Sequence, residues 1–532
     1  MRRRPGWEAL AIVTGASIFL AGCSGGASGT GGAGGAGSGT PQRGGTMTYL
    51  LGGVLASWSR GLDPATAGLA PSIILDAIFG RLFRLGDGGK IEPDLASGYE
   101  ISDDGKTVTI SLREGVKFQD GTPFNAEAVA WNIERDLEAA CVCSPVTSWP
   151  PLSSEGVTTP DEHTVMLHFT RPYAAVIAML ISSSVNRIAS PTAVRKMGEQ
   201  QFSQKPVGAG PFEVVSNVVN SEVELKRYDG YWKKGRPYLD GLIFKTIGGD
   251  QPAYQAIQAG QVQATQMTTP AIIRQASKNA NVTVTPQNGT SPWLIQLNTS
   301  IPPFDDKLAR EAIYYATDVN AIRTHLFYNM YPATQSFTGP GGLFYQPQVP
   351  GYRTYDPAKA KQIVSQLGGL KVDLFGGADQ AANQTLQVLQ NQWAEVGIEA
   401  TIHPYQLDRQ IQEFEGRKWQ AALQSNGAFD PGMGAGLPFR FGSEAVYTGV
   451  HDSKLDTMIG QAAATLDENE RARMYAEIAK YISDQAYAPF LLAPAPAAVT
   501  ADGVHGPGLT SKVSMTSVTL LPYWDEVWME ER

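Results

Sequence analysis

The chain has 532 residues, of which 42% are hydrophobic and 17% are charged, so its composition is that of a folded protein and not of a disordered one. The formal net charge is −9, and no basic run follows Arg2-Arg3-Arg4, which argues against nucleic-acid binding because phosphate contacts need clustered Lys and Arg. Three Cys are too few for a disulfide scaffold, and no two of the six His stand in an H-x-x-x-H spacing, so we expect no metal and no cofactor.

An export signal precedes the predicted folded part. Arg2-Arg3-Arg4 is followed by an apolar run of twelve residues, Ala9–Leu20. This run fits a signal peptide and is shorter than the roughly 20 apolar residues that span a bilayer. The next residues, Leu20-Ala21-Gly22-Cys23, resemble the lipobox of bacterial lipoproteins. The resemblance implies that residues 1–22 are removed and that lipid on Cys23 anchors an extracytoplasmic protein to the cell membrane; an ordinary secretory signal with an incidental Cys is the alternative.

A linker separates this signal from the folded part. Residues 23–45 are rich in Gly and Ser and show no apolar period. Such a segment behaves as a flexible coil with a reach of about 25 Å. We therefore expect the linker to let the folded part move above the membrane.

The remainder of the chain alternates strand and helix signals. Met47–Leu51 predicts a buried strand, and Ile73–Leu85 has the apolar spacing of a helix. Glu100–Leu112 predicts a hairpin that turns at Asp103-Asp104-Gly105. Asn125 is a predicted N-cap for a helix that continues to Arg135, and Thr164–Phe169 alternates as a strand. Interleaved elements of this kind indicate a mixed α/β architecture.

Several segments match, in order, those of one protein family. They are Leu112–Glu127, Val207–Phe212, Lys226–Trp232, Leu297–Thr299 with Phe304–Ile313, and Trp393–Ile398. Together they resemble the family 5 extracellular solute-binding proteins, the peptide, nickel and oligosaccharide receptors of ABC importers. The resemblance covers about residues 46–530. The chain departs from the family pattern at Gln119, where the family has His, and at Ala128, where it usually has Asp.

The resemblance implies a fold and a mode of action. The expected fold is α/β, a two-lobed periplasmic-binding-protein-like clamshell of type II, in the large variant with an extra subdomain. Lobe I would hold residues 46–290 and the C-terminal return 490–532, with the subdomain at about 84–205, and lobe II would hold residues 291–489. Such a receptor is a monomer that encloses a peptide-like or other small solute between its lobes and delivers it to a permease, while ATP is hydrolysed by partner subunits.

The ligand site departs from the pattern of the peptide-binding members. Many of these carry G-W-x-x-D-x-x-D-P, whose first Asp holds the α-amino group of the peptide through a charge-assisted hydrogen bond. Asp430-Pro431 matches the end of this segment, but Gly427 stands where that Asp is expected, and Gln424 stands where the Trp is expected. The resemblance therefore argues against a ligand with a free amine, unless Asp430 replaces the missing carboxylate.

Five residues are candidates for contact with the ligand, namely Trp58, Trp293, Asn426, Asp430 and Arg440. The two Trp could stack on a planar or sugar ligand, with core packing as the alternative. Asn426 and Asp430 follow the predicted strand Trp419–Gln424 in a loop, where binding residues often lie. Arg440 could meet an acidic ligand group, with a structural ion pair as the alternative.

Other functions are less well supported by the sequence. The motifs of zinc proteases and P-loops are absent, so we expect a binding protein and not an enzyme. A lipoprotein that uses the same clamshell to signal to a membrane partner, or a secreted hydrolase, remains as an alternative. Cys141 and Cys143 could form a local disulfide or, in fewer cases, a soft-metal pair.

Overall fold

The computed structural model describes residues 39–52, 57–68, 70–86, 89–138, 151–427, 429–434, 436–513 and 520–531. The described residues from Thr40 onward belong to one compact unit. The predicted signal peptide, Cys23, Cys141 and Cys143 lie outside the described residues. None of the described helices has the length and hydropathy that a membrane crossing requires.

Strands and helices alternate along the described residues, which confirms the predicted mixed α/β class. The strands are, in chain order, β1 (Thr46–Leu51), β2 (Phe83–Leu85), β3 (Ile91–Pro93), β4 (Ala96–Ile101), β5 (Thr107–Leu112), β6 (Leu152–Asp161), β7 (Thr164–Phe169), β8 (Phe212–Val218), β9 (Glu222–Arg227), β10 (Gly241–Thr246), β11 (Ala264–Met267), β12 (Val282–Pro286), β13 (Trp293–Leu297), β14 (Leu370–Gly377), β15 (Ile398–Tyr405), β16 (Ala421–Ser425), β17 (Ala497–Ala501), β18 (Val504–His505) and β19 (Trp528–Met529). The helices are α1 (Pro64–Ala67), α2 (Ser72–Phe79), α3 (Ala126–Glu138), α4 (Val176–Ser182), α5 (Pro191–Met197), α6 (Glu199–Gln204), α7 (Asp250–Gln258), α8 (Pro270–Ala276), α9 (Lys307–Ala316), α10 (Val319–His325), α11 (Pro357–Gln366), α12 (Gln380–Glu395), α13 (Leu407–Gly416), α14 (Leu437–Phe441), α15 (Ser453–Ala464) and α16 (Glu468–Asp484).

The largest sheet, called here the large sheet, has the strand order β12-β17-β11-β1-β10-β9-β8. Strand β1 runs parallel to β10 and β11, and the other neighbours are antiparallel. The large sheet packs on α2 and on Trp524 near the C-terminus. The rings of Tyr49 and Phe244 meet the Trp524 ring edge to face, at centroid distances of 5.6 and 5.4 Å. The C-terminal part of the chain therefore returns to the same core as β1.

A second sheet has the order β13-β16-β14-β15 and is formed by the middle of the chain. Strand β14 is parallel to β15 and β16, and β13 is antiparallel to β16. One face of the second sheet is covered by α9, α11 and α12, whose apolar side chains form a common core around the fully buried Trp393.

A third sheet, with the order β4-β5-β7-β6, is antiparallel throughout. In β5 the side chains of Val108, Ile110 and Leu112 are buried and alternate with more exposed ones, as expected for a sheet with one covered face. Helices α3 and α4 pack on the buried face of this sheet. The predicted hairpin at Glu100–Leu112 is confirmed as the β4–β5 pair.

Most of the predicted elements are confirmed, with two corrections. Strands β1 and β7 lie where they were predicted, and Asn125 Oδ1 accepts the Ala128 N–H at 3.0 Å at the start of α3. The predicted helix at Ile73–Leu85 is wrong in its second half. Helix α2 ends at Phe79 because Gly80 has a φ of 67°, and Phe83–Leu85 then pairs with β3 as a strand. The strand predicted at Trp419–Gln424 is shifted to Ala421–Ser425.

The strongest family motif joins the third sheet to the large sheet. The Gln119 side chain donates to the carbonyls of Ile78 at 2.9 Å and Phe212 at 2.7 Å and accepts the Gly208 N–H at 3.0 Å. A Cβ at Gly210 would lie 2.6 Å from the carbonyl carbon of Ile78, so glycine is required there by backbone contact. The motif thus builds the scaffold.

Candidate functional site

Two chain segments connect the large sheet with the second sheet. Residues 287–293 lead from β12 into β13, and residues 489–496 lead back toward β17. The two segments are hydrogen bonded side by side, because Trp293 N–H donates to the Leu492 carbonyl and Leu491 N–H donates to the Trp293 carbonyl, both at 2.7 Å. At Gly289 a Cβ would overlap the carbonyl oxygen of Pro494, so the close approach requires glycine. We call this crossing the junction.

A group of buried polar side chains lies beside the junction, and we call it the polar cluster. It consists of Thr290, Ser291, Ser336, Thr338 and Asn426, each between 0 and 4% exposed. The cluster is held together by Gly339 N–H, which donates to the Thr290 carbonyl at 3.1 Å, and by Asn426, whose N–H donates to the Pro292 carbonyl at 3.0 Å. The Asn426 side-chain amide donates to the Phe337 carbonyl at 2.6 Å.

Three atoms of the polar cluster have no hydrogen-bond partner among the described residues. They are Asn426 Oδ1, Ser336 Oγ and Thr338 Oγ1. Buried polar atoms are nearly always paired with protein, water or ligand, because an unpaired one costs about 1–3 kcal/mol. The polar cluster therefore contains buried hydrogen-bonding atoms that the described residues leave unpaired.

The loop after β16 reaches from the second sheet to the third sheet. Phe429 and Met433 in this loop are buried in the apolar core of the third sheet. The Tyr173 hydroxyl, which follows β7, lies 3.5 Å from the Gly432 carbonyl. Ala174 N–H donates to the Ala463 carbonyl at 2.9 Å. The loop after β16 and helix α15 are therefore in direct contact with the part of the chain that carries the third sheet.

Asp430, in the same loop, forms a buried ion pair with Arg471 of α16. Both oxygens of Asp430 accept from Arg471 Nη2, at 2.9 and 2.8 Å, and Oδ1 also accepts the Gly432 N–H at 2.8 Å. Asp430 is 1% exposed and Arg471 is 5% exposed. Burial lowers the pKa of Arg471, and the carboxylate of Asp430 more than offsets this, so that the pKa lies above its usual value. The carboxylate of Asp430 is thus paired with Arg471 inside the protein.

Arg440 on α14 is buried among neutral acceptors. Its guanidinium donates to the Ser425 carbonyl at 3.0 Å and to the side-chain oxygens of Gln424 and Gln296 at 3.1 and 3.4 Å. No carboxylate pairs with it among the described residues, so the alternative of a structural ion pair is wrong for them. Burial lowers the pKa of Arg440 to about 10. Its Cζ lies 4.8 Å from the centroid of the Phe439 ring, which partly offsets the loss of water.

The family model that matches this chain is described as bacterial extracellular solute-binding proteins, family 5 Middle, and it matches residues 90–447. The chain belongs to this family. It is therefore a solute-binding protein of an ABC importer and not an enzyme.

Individual proteins resemble this family 5 member over most of its length. The glutathione-binding protein GsiB of Shigella boydii serotype 4 (strain Sb227) is 28% identical over 436 residues, which is 78% of this chain and 83% of GsiB. The crystal structure of the ABC transporter substrate-binding protein CtaP from Listeria monocytogenes is 22% identical with a TM-score of 0.78, covering 92% of this chain and 100% of CtaP. The periplasmic binding protein DppA from Helicobacter pylori, in complex with the peptide STSA, is 22% identical with a TM-score of 0.72, covering 92% and 99%. These likenesses confirm the predicted two-lobed type II clamshell fold.

The predicted contact residues are distributed unevenly over this family 5 fold. Trp293 begins β13 at the junction, half-buried, with its ring 5.7 Å from that of Phe327. Asn426 lies in the polar cluster, and Asp430 lies in the loop that follows it. Trp58 lies in the core of the large sheet, 1% exposed, and its indole N–H donates to Asn217 Oδ1 at 3.0 Å. Arg440 is buried on α14. As ligand contacts, all five residues remain predictions.

Sequence reasoning missed most of the polar cluster. Thr290, Ser291, Ser336 and Thr338 carry no motif, and only the alternation of hydroxyl residues at 334, 336 and 338 could have drawn attention to one segment. No group of three or more His, Cys, Asp and Glu among the described residues could hold a metal ion.

Proposed function

We propose that this family 5 protein encloses a small, peptide-like or other polar solute at the junction, between two lobes, and delivers it to an ABC permease. Lobe I comprises residues 46–290 and 490–532, with the extra subdomain at about 84–205, and lobe II comprises residues 291–489. The observation that carries the proposal is the polar cluster, whose three unpaired buried atoms lie where the two connecting segments cross. Hinge closure of two domains around a ligand buries the ligand on all sides.

The chemistry of the polar cluster limits what it can hold. The Ser and Thr hydroxyls can donate and accept, and Asn426 Oδ1 accepts only. These groups suit amide, carbonyl and hydroxyl groups on a ligand. Trp293, half-buried and two positions after Ser291 in the chain, offers a ring for stacking. We accordingly place Trp293 and Asn426 among the contacts, and we add Ser291 and Thr338.

A closure experiment tests the proposal. Native mass spectrometry of protein purified from its host identifies a retained solute, which is then removed and added back during small-angle scattering. We expect a smaller radius of gyration with the solute bound, and a stabilisation of about 2.7 kcal/mol at 100 Kd because the solute binds only the folded state.

Thr338→Val should weaken binding by about tenfold through the loss of one buried hydrogen bond. Thr457→Val, on the exposed face of α15, is the matched control.

The opposite results would contradict this proposal. They are an unchanged radius of gyration when the solute binds tightly, and an equal effect of Thr338→Val and Thr457→Val on the affinity. The first result would show that the two lobes do not close on the solute. The second would show that the polar cluster does not contact the solute.

Membrane anchoring through Cys23 is the second part of the proposal, supported by the short apolar run and the Leu-Ala-Gly-Cys sequence. We expect the wild type to sediment with membranes and Cys23→Ala to be released into the soluble fraction, since lipid provides about 0.8 kcal/mol per buried CH₂. Cys141→Ala is the matched control and should sediment like the wild type. Equal retention of wild type and Cys23→Ala would exclude anchoring through Cys23.

A further inference from the structure

A cavity of about 590 Å³ lies within the part of the chain that carries the second sheet. It opens where α9 ends and α10 begins, between residues 333–335 and 352–355, with Pro489 and Phe490 in its wall. None of the residues of the polar cluster lines it. Its volume lies within the range of small-molecule sites, about 300–1,000 Å³.

The wall of this cavity is rich in aromatic rings that are fixed in place. Tyr314 and Tyr352 meet edge to face with centroids 5.5 Å apart. The Tyr314 hydroxyl donates to the Ala488 carbonyl at 2.6 Å, and the Tyr352 hydroxyl accepts the Phe490 N–H at 2.8 Å. Tyr355 at the rim is 38% exposed. Ring faces held in this way attract cations, above all organic ones whose hydration is weak.

The charges at the cavity also favour a cation. Asp318 accepts the Ala321 N–H through Oδ1 at 2.9 Å, and its other oxygen has no partner among the described residues. Arg353, the cation among the lining residues, is already paired with Glu311 at 2.7 Å. Burial raises the pKa of Tyr355 at the rim, and the negative charge of Asp318 raises it further. The cavity therefore presents the carboxylate of Asp318, which no cation of its wall pairs with among the described residues.

Thr334 lies in the wall of the cavity. It is 2% exposed, and its hydroxyl has no hydrogen-bond partner among the described residues. We propose that the cavity is a second binding site, separate from the junction, for a small free organic cation. The aromatic rings surround the ammonium group, and Asp318 balances its charge.

Choline and its neutral isostere 3,3-dimethylbutan-1-ol test the proposal by calorimetry on the purified protein. We expect choline to bind and the alcohol to bind at least about tenfold more weakly. Asp318→Asn should weaken choline binding by at least about tenfold with an unchanged melting temperature, since Asn caps a helix as well as Asp does. Tyr355→Leu should also weaken it. Ser291→Ala, in the polar cluster, is the control and should leave the choline affinity unchanged.

Four outcomes would overturn the proposal. They are no choline binding at about 10 mM, equal affinities for choline and the alcohol, full affinity in Asp318→Asn, and loss of affinity in Ser291→Ala, which would move choline to the junction. Phosphatidylcholine vesicles that bind the wild type but not Asp318→Asn would make a lipid headgroup the occupant instead of a free cation.

Discussion

Asp430→Asn is expected to lower the free energy of unfolding by about 3–5 kcal/mol, because it leaves a buried cation without its counter-charge. Arg471 is 5% exposed, and its Nη2 atom bonds both oxygens of Asp430. Asn offers one acceptor oxygen and no charge. Phe344 lies over the guanidinium, with the ring centroid 4.9 Å from Cζ, and cannot replace the carboxylate.

Urea unfolding of two further variants, compared with Asp430→Asn, tests this expected loss of stability. Glu399→Gln removes the carboxylate of the exposed Lys371–Glu399 pair, whose side chains are 82% and 73% exposed, and should change stability by less than about 1 kcal/mol. The double variant Asp430→Asn with Arg471→Met removes both charges and should be more stable than Asp430→Asn alone. Equal losses in Asp430→Asn and Glu399→Gln would show that the buried pair contributes no more than a surface pair.

This ion pair is an example of a contact that the sequence alone did not predict. Asp430 matched the end of a ligand-binding segment, and its real partner lies 41 positions away on α16. No local pattern marks Arg471 as that partner. Trp58 is a similar case, because the Asn217 and Asn220 side chains that bond it are 159 and 162 positions away. Local sequence can indicate that a polar or aromatic residue matters, but the fold decides whether it faces a ligand or another side chain.

The local elements were predictable for the opposite reason. The β4–β5 hairpin and the capped start of α3 depend on neighbouring residues, namely the turn at Asp103–Gly105 and the side chain of Asn125. The error at Ile73–Leu85 arose because apolar spacing continued past Gly80, where the left-handed backbone ends the helix. The polar cluster combines three distant segments, and Asn426 and Phe337 are 89 positions apart. Only the crossing of the chain at the junction brings these segments together.

The ion pair bears directly on the class of ligand. The peptide-binding members that this chain resembles hold the α-amino group with an Asp, and Gly427 stands in that place. Asp430 was the one nearby carboxylate that could have replaced it, and the structure commits both of its oxygens to Arg471. The polar cluster itself offers a ligand amine hydroxyls and one side-chain amide, and it contains no carboxylate. A buried charge without a counter-charge costs several kcal/mol.

Unmodified di- to pentapeptides are therefore expected to bind at least about a hundredfold more weakly than their N-acetylated forms, since each 1.4 kcal/mol is a factor of ten. Gly427→Asp should reverse this preference by supplying the missing carboxylate. A Cβ at Gly427 is tolerated, because it meets only Ser291 Oγ within 4 Å, at 3.7 Å. Calorimetry with a mixed tripeptide library and its acetylated counterpart measures both effects. Gly460→Asp, on α15 where a Cβ meets nothing within 4 Å, adds the same charge elsewhere and should leave both affinities unchanged. Wild-type binding of free tripeptides at about micromolar Kd that acetylation does not improve would show that the site neutralises an amine without a carboxylate at position 427.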